Sequence, residues 1–398
     1  MSKLKLLIII FFLINFKLSA QNQYIVVEKA NELIKNKQYN KAFLLLDEFD
    51  SENLITDIVL KKTDILLNYN VYNIYFKKFG LADLDNNMDI NSAIKSDITY
   101  SMYSFDIDKI LQNLLNSYPE EWRLYNAIGD YYFSMLKSNN YDRKYNIQEI
   151  LDLSSQYLSI AKSNSVVDYK SLFALGYLDL IANKQESAKN YFLESYNLNK
   201  MFPYTPYYLS YCNLVLEKND DALSFAKIAF ELFQDSTLKS DPARIIGIIY
   251  EDMNNYKESL SYLNIANNLS SNNLYTLLPL LKVHLRLNNI QEIETKSFQI
   301  LNIAPSRINI LTDIYLVYNE TNNREKFIDF LNTALKVFNK NNDVLFNIYY
   351  HFGSFYEDDK NLNKANGFYN KAKNISEKYF TENDPRNKLL ENKTKKQE

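Results

Sequence analysis

The sequence predicts an all-α protein built as an α-solenoid, a stack of antiparallel helix pairs. Three observations lead to this prediction. Only 6 glycines and 7 prolines occur in 398 residues, which disfavours turn-rich β sandwiches and barrels. Hydrophobic residues make up 46% of the chain, which is enough to bury a core. The third observation is an internal repeat, marked by small or medium side chains at fixed positions.

The repeat is defined by the spacing of these side chains. In the unit that begins at Gly176, the next marked residues are Ala188, Phe192 and Ser195, at intervals of twelve, four and three. Intervals of four and three place side chains on one face of a helix, and an interval of twelve spans the end of a first helix and a short loop. The spacing recurs in units anchored at positions 176, 210, 247, 281, 315 and 353. A step of 34 to 38 residues predicts an array of similar helix pairs.

Two residue types mark the contacts and corners of these pairs. Gly176, Gly247 and Gly353 stand where the first helix must approach the second closely, although glycine is unfavourable within a helix. Polar pairs that begin at Asn254 and Asn288 fall between the two helices of their units, which fits the turn preference of asparagine. The two helices of each pair are therefore expected to meet at small side chains and to turn at polar corners.

Together these features resemble the tetratricopeptide repeat family. The clearest match covers residues 245–250, 255–256 and 259–266, and a second runs from Phe352 to Tyr356 with Ala365, Tyr369 and Ala372. The resemblance extends over about residues 169–378 and, with a longer loop, over residues 122–168. It implies a right-handed superhelix whose first helices line the concave side. It also implies a scaffold that binds other proteins, as members of this family mostly do.

The first twenty residues carry the pattern of a secretory signal peptide, residues 1–20. Lys3 and Lys5 give a positive start, an apolar run spans Leu6 to Ile14, and Ala20 offers a cleavage point. The apolar run is short for a permanent anchor, and an uncleaved anchor is the alternative. The sequence therefore predicts a periplasmic or secreted protein with no integral membrane segment after cleavage.

The rest of the chain divides into three regions according to how well it follows the repeat. Residues 122–380 form the predicted array. Residues 21–121 are predicted to be degenerate N-terminal helical repeats, because residues 51–118 keep only part of the rhythm. Residues 381–398 are rich in Asn, Lys and Glu and are predicted to form a polar, disordered tail.

Charge and rare residue types disfavour several function classes. The net charge is −3, so no chain-wide positive field exists to attract nucleic acid. One cysteine and two histidines exclude a disulfide framework or thiolate metal cluster within the chain, and they disfavour a metalloenzyme or a Ser-His-Asp hydrolase. We therefore expect no catalytic residues, no metal and no cofactor, and we expect that the protein is not an enzyme. An enzyme on such an array would need a convergent acid cluster, which the sequence does not reveal.

Candidate binding residues lie on the predicted first helices, at positions that helix packing does not use. They combine aromatic rings, which bury a large area with few rotatable bonds, and positive charges. The candidates are Lys170, Phe173, Tyr177, Tyr204, Tyr207, Tyr211, Arg244, Lys282 and Arg286. The alternative is that many of the 33 tyrosines simply fill contacts between helices.

The sequence thus predicts a non-catalytic protein-binding scaffold or adaptor in the bacterial cell envelope, which holds a protein or peptide partner in its concave groove. The alternative is a structural subunit of a larger envelope or secretion assembly, joined through its ends or outer face. A peptide-binding groove would place exposed aromatic residues on the first helices, whereas an assembly subunit would place them at the ends.

Overall fold

The structure, a computed structural model, describes residues 21–138, 144–305, 307 and 309–394. The chain divides into two units, Met1–Asn199 and Lys200–Glu398. The predicted signal peptide, residues 1–20, lies outside the described residues.

The first unit consists of helices with one small sheet, and the second unit consists of helices. In the first unit the elements are α1 (21–35), α2 (Tyr39–Phe49), α3 (Thr56–Asn68), β1 (Tyr72–Ile74), β2 (Lys78–Leu81), α4 (Ile90–Lys95), β3 (Ser101–Ser104), α5 (Ile107–Ser117), α6 (Trp122–Lys137), α7 (Ile147–Ser163), α8 (Tyr169–Ile181) and α9 (Gln185–Leu198). In the second unit they are α10 (Tyr204–Val215), α11 (Asn219–Leu232), α12 (Ser236–Asp252), α13 (Tyr256–Leu269), α14 (Leu274–Arg286), α15 (Ile290–Ile303), α16 (Ile310–Glu320), α17 (Arg324–Val337), α18 (Asn342–Asp358), α19 (Leu362–Tyr379) and α20 (Pro385–Thr394).

Consecutive helices pack as pairs joined by short loops, which makes them antiparallel. The pairs are α6–α7 and α8–α9 in the first unit, and α10–α11, α12–α13, α14–α15, α16–α17 and α18–α19 in the second. Within each unit, the first helix of a pair also packs on the first helix of the next, as in α6–α8, α12–α14 and α14–α16. These contacts confirm the predicted array of helix pairs. We call the surface formed by neighbouring first helices the first-helix face.

Glycine allows the two helices of a pair to meet closely. A Cβ atom built on Gly247 would lie 2.6 Å from Leu263 Cγ, sixteen residues later on the second helix. The same clash, at 2.5 Å, would occur between Gly353 and the Tyr369 ring. The Ser259 hydroxyl also donates a hydrogen bond of 2.7 Å to the Gly247 carbonyl. The small residues that the spacing marked are therefore contact points between helices.

The polar corners share one backbone geometry. Asn254 adopts a left-handed conformation, with φ of 60°, and its N–H donates to the Glu251 carbonyl. The next N–H, from Asn255, donates to the Tyr250 carbonyl, which completes a Schellman cap. Left-handed backbone at the equivalent corner occurs at Lys37, Asn183, Glu217, Asn288, Asn322 and Lys360. Asparagine tolerates this conformation better than most residues, which explains its frequency at the corners.

A three-stranded antiparallel sheet corrects the expectation for residues 21–121. The strands have the order β1-β2-β3 in the sheet. Along the sequence, the three strands and α4 come between α3 and α5. Helices α3 and α5 contact each other and both contact α6, so they act as the two helices of one pair with an insertion between them. Ile107, Leu111 and Leu114 of α5 are buried at the predicted interval of four and three. The sheet is stable here because Phe79 and Leu81 are completely buried on one of its sides.

The C-terminal region is also more ordered than expected. Part of residues 381–398, predicted to be a disordered tail, forms α20, which packs on α19. The Arg386 guanidinium lies 3.5 Å from the centroid of the Phe380 ring and donates two hydrogen bonds to the Asp384 carboxylate. Leu390 is buried beside the same ring cluster. One apolar anchor and one paired arginine hold a helix whose composition alone is strongly polar.

Candidate functional site: the first-helix face

In the first unit, a lysine bridges two first helices. Lys170, at the start of α8, donates a hydrogen bond of 3.0 Å to Asn68 Oδ1 on α3. Its Nζ also lies 3.8 Å from Asp64 Oδ1, one turn earlier on α3. The backbone N–H of Lys170 donates to the Asp168 carboxylate, which caps α8 at 2.8 Å. The Lys170 side chain is therefore fixed in place and is only partly exposed.

An aspartate and an asparagine lie one turn apart on α6, in the same charged group. Burial and, after it, the negative charge of Asp168 raise the pKa of the Asp130 carboxyl to about 8, and Lys170 and Lys137 oppose the shift. Asn126 Nδ2 donates to Asp130 Oδ2 at 3.3 Å. Asn126 Oδ1 is buried and has no hydrogen-bond partner within the described part of the chain. This pair therefore has unused capacity to accept hydrogen bonds.

Aromatic rings continue this surface along α6 and α8. The Phe133 ring centroid lies 5.6 Å from that of Tyr177 and 6.2 Å from that of Phe173. Lys137 Nζ stands 4.8 Å above the Phe133 ring, and burial lowers the Lys137 pKa. Phe173 is only 8% exposed and packs on Phe192 of α9, so it is a packing residue and not part of an open binding surface. Of the predicted aromatic residues in this unit, Tyr177 is the partly exposed one.

In the second unit, the predicted tyrosines of α10 differ in their exposure. The rings of Tyr204 and Tyr207 pack on Phe233, with centroids at 5.2 and 6.4 Å. Burial raises the pKa of both tyrosines. Tyr211 is 43% exposed, although it lies one turn from Tyr207. Tyr211 is therefore the most exposed member of this group.

The predicted cations of α14 converge on one buried glutamate. Lys282 Nζ lies 2.8 Å from Glu251 Oε2 and 3.6 Å from Glu320 Oε2, which joins α12, α14 and α16. Arg286 Nε lies 3.6 Å from Glu251 Oε1. Glu251 is only 6% exposed, whereas both cations are partly exposed. Burial, followed by the charge of Glu251, raises the pKa of the adjacent Asp252. The network joins two partly exposed cations to the buried carboxylate of Glu251 and the exposed carboxylate of Glu320.

Arg244, the remaining predicted cation, pairs within its own helix. Its guanidinium lies 3.0 Å from Asp241 Oδ1, three residues earlier on α12. Arg244 Nε is buried and has no hydrogen-bond partner among the described residues. The structure thus brings Lys282 and Arg286 together around Glu251, while Arg244 is engaged with a local partner.

The predicted aromatic patch is divided between the two units. Lys170 and Tyr177 belong to the first unit, and Tyr204, Tyr207 and Tyr211 belong to the second. Each unit therefore presents its own surface.

Sequence reasoning missed Asn126, Asp130 and Lys137. On α6, Asp130, Phe133 and Lys137 follow Asn126 at offsets of four, seven and eleven residues. These offsets place the four side chains on one face of the helix. This spacing is the feature of the sequence from which the shared face could have been predicted.

Several other features do not form sites. In the ranges that the structure describes, no group of three or more His, Cys, Asp or Glu side chains is placed to hold a metal ion. Likewise, none of the described helices has the length and apolar character needed to cross a membrane. An open surface depression of about 680 Å³ next to α15 has no charged lining residue; it is lined by Asn272, Thr295, Phe298, Gln299, Asn302 and Ile303.

Three observations together identify the fold type: the repeat step of 34 to 38 residues, the packing of helices in pairs, and the shared geometry of the capped corners. The fold is tetratricopeptide-like. No protein-family model matches the chain, and a comparison with curated protein sequences finds no match.

Solved structures with partial similarity to the tetratricopeptide-like chain include the Cut9–Hcn1 hetero-tetramer of APC/C. That match has 18% identity and a TM-score of 0.40, and it covers 88% of this chain and 57% of the other. A tetratricopeptide repeat protein from Parabacteroides merdae has 11% identity and a TM-score of 0.44, covering 67% of this chain and 97% of its own. PilF from Pseudomonas aeruginosa has 10% identity and a TM-score of 0.40, and the match covers 57% of this chain and 96% of PilF. The chain thus spans little more than half the length of the first of these proteins.

Proposed function

We propose that this protein is a non-catalytic scaffold that binds a protein or peptide partner on its first-helix face. The observation that supports the proposal is that the first helices of each unit carry both partly exposed cations and tyrosine rings that are exposed or partly exposed. In the second unit these are Lys282, Arg286 and Tyr211, and in the first unit they are Lys170 and Tyr177. Tyrosine and arginine are the residue types enriched at protein interfaces.

The rigidity of this surface also favours binding. Lys282 and Arg286 are held by Glu251, and Lys170 is held by Asn68, so their positions are fixed before a partner arrives. Fixed side chains lose little conformational entropy on binding. Affinity in such a site comes from several dispersed contacts rather than from one reactive group.

We further propose that the scaffold works in the bacterial cell envelope, periplasmic or secreted. The support is the signal-peptide pattern of residues 1–20. The alternative proposal, a structural subunit of a larger envelope or secretion assembly, places the contact at the ends or on the outer face of the array. Exposed rings on second helices, such as Tyr118 at the end of α5 and Tyr379 at the end of α19, support that alternative.

Site-specific photo-cross-linking distinguishes the two proposals. A benzophenone amino acid is introduced at Tyr177 or Tyr211 on first helices, and at Tyr118 or Tyr379 as matched exposed controls on second helices. We expect partner adducts from the first two positions after irradiation of cells, because each ring lies on the first-helix face of its own unit. Adducts from the control positions alone would contradict the scaffold proposal and favour the assembly subunit.

A further inference from the structure

Strand β3 forms an open edge of the small sheet in the first unit. It pairs with β2 on one side, and no strand among the described residues pairs with its other side. The Phe105 N–H donates to the Lys77 carbonyl at 2.9 Å, so residues 101, 103 and 105 direct their backbone groups towards β2. The N–H and carbonyl groups of Met102 and Ser104 therefore point away from β2, and both residues are exposed.

The edge of β3 carries none of the residues that usually prevent pairing with another chain. Proteins protect such edges with proline, charged side chains or bulges. β3 has the sequence Ser-Met-Tyr-Ser, and its four residues pair with β2 in unbroken register. At the opposite edge of the sheet, the Val71 N–H donates to the carbonyl of Gly80, although Tyr72 is the residue opposite Gly80, as in a bulge. An added strand can therefore continue the sheet at β3.

The exposed side of the sheet presents two rows of side chains to an added strand. The rows are Tyr72, Gly80 and Met102, and next to them Ile74, Lys78 and Ser104. In the first row Tyr72 is 47% exposed and Met102 is 44% exposed. In the second row Lys78 is exposed and forms no ion pair within the part of the chain that the structure describes. The first row is thus apolar, and the second carries a positive charge.

We propose that β3 binds an extended segment of a partner protein as a fourth, antiparallel strand, with an apolar residue opposite Met102 and an acidic residue opposite Ser104. The pairing forms four hydrogen bonds, because Met102 and Ser104 each supply one N–H and one carbonyl. The acidic residue lies in the row of Lys78, which reaches it across the small side chain of Ser104. Since β3 is not part of the first-helix face, this contact goes beyond the proposed function.

The free charge of Lys78 favours such a segment over a second copy of this chain. Two copies of β3 joined antiparallel would place Met102 opposite Ser104 of the other copy. The strand contains no acidic residue, so each Lys78 would remain without a counter-charge. A partner segment with the order acidic, any residue, apolar satisfies both rows, because alternate residues of a strand lie on the same face.

Fluorescence anisotropy with a short labelled peptide tests the backbone pairing. The probe is fluorescein-Gly-Thr-Glu-Thr-Val-Thr-Gly-amide, titrated with the purified full-length protein. We expect saturable binding that weakens at least about tenfold when the glutamate and the valine are N-methylated, because their N–H groups donate to the carbonyls of Ser104 and Met102. N-methylation of the first two threonines instead, whose N–H groups point to the other side, should change the affinity by less than about twofold.

A charge exchange tests the role of Lys78. Lys78→Glu should weaken binding of the glutamate peptide by about fivefold, and a peptide with lysine in place of glutamate should recover the affinity on this variant. Lys29→Glu, which changes an exposed lysine on α1, is the control and should change the affinity by less than about twofold. Circular dichroism checks that both variants fold, which is expected because both lysines are exposed.

Three peptide results would overturn the proposal: no saturable binding at millimolar peptide, equal weakening by the two methylation patterns, or no recovery with exchanged charges. Sedimentation velocity adds a fourth. Dimers of the purified protein that dissociate in Met102→Pro would assign the edge to a second copy, since this proline removes an N–H that points away from β2. Cross-links from Tyr177 and Tyr211 report on the first-helix face, so the scaffold proposal and the strand proposal fail separately.

Discussion

Replacing Gly247 by leucine should lower the free energy of unfolding by about 3 kcal/mol. The Cβ atom alone would lie 2.6 Å from Leu263 Cγ and 3.2 Å from the Leu263 backbone nitrogen, so α12 and α13 must separate to admit the side chain. Separation also breaks the hydrogen bond from the Ser259 hydroxyl to the Gly247 carbonyl. Urea unfolding followed by far-ultraviolet circular dichroism measures the change.

Gly367 is the matched control for this prediction. It lies within α19, and a Cβ built there would meet no atom within 4 Å. Gly367→Leu should therefore raise the free energy of unfolding by about 0.5–1 kcal/mol, because leucine has the better helix propensity. Equal effects of the two substitutions would mean that Gly247 does not mark a close contact between helices.

Replacing Lys62 by methionine should destabilise the first unit by about 3–5 kcal/mol. Lys62 is completely buried, and its ammonium donates to Asp47 Oδ1 at 2.7 Å, to the Asp50 carbonyl at 2.7 Å and to Asn53 Oδ1 at 2.9 Å. Three donors meet three acceptors, so the side chain is fully satisfied. Methionine keeps most of the volume but leaves these acceptors without a donor. Thermal and urea unfolding of the purified variant measure the loss.

The adjacent Lys61 provides the control for Lys62. Its side chain is partly exposed and forms a surface pair with Asp64 at 3.4 Å. Lys61→Met should change the stability by less than about 1 kcal/mol, since exposed pairs contribute little. If Lys62→Met were as mild as Lys61→Met, the buried hydrogen bonds of Lys62 would not stabilise the corner between α2 and α3.

The helix pairs were predictable because the determinants are local. Gly247 and Ser259 act within one pair, at a fixed separation along the chain, and the corner at Asn254 depends on the conformation of a single residue. Such features recur with each repeat and so appear as a period in the sequence. Burial of Leu111 and Leu114 on α5 shows that even a weak copy of the rhythm marked a true second helix.

The sheet and the final helix were not predictable in the same way. Strands β1, β2 and β3 are three or four residues long, which is too short for a clear alternation of apolar and polar residues. Helix α20 has a polar composition, and it is held by the ion pair of Arg386 with Asp343 and by the contacts of Leu390 with distant residues. Lys62 likewise finds acceptors through the loop geometry around Asp50, which a single sequence does not reveal.

The sequence predicted the placement of some residues of the candidate surface. Spacing identified the positively charged residues Lys282 and Arg286 and the exposed ring of Tyr211 as residues of first helices. It did not separate Phe173, which is buried, from its neighbours, because burial depends on Phe133 and Phe192 of other helices. Asp130 escaped notice because its raised pKa comes from burial and from charges that other parts of the chain supply.

Affinity purification of the tagged protein from cross-linked cell envelopes tests the scaffold proposal most directly. Two double variants are compared, Tyr177→Ala with Tyr211→Ala on first helices and Tyr118→Ala with Tyr379→Ala on second helices. We expect the first pair to reduce recovery of the partner at least about tenfold and the second pair to leave it unchanged, because aromatic anchors dominate interface energies. Full recovery with the first pair and loss with the second would contradict binding on the first-helix face.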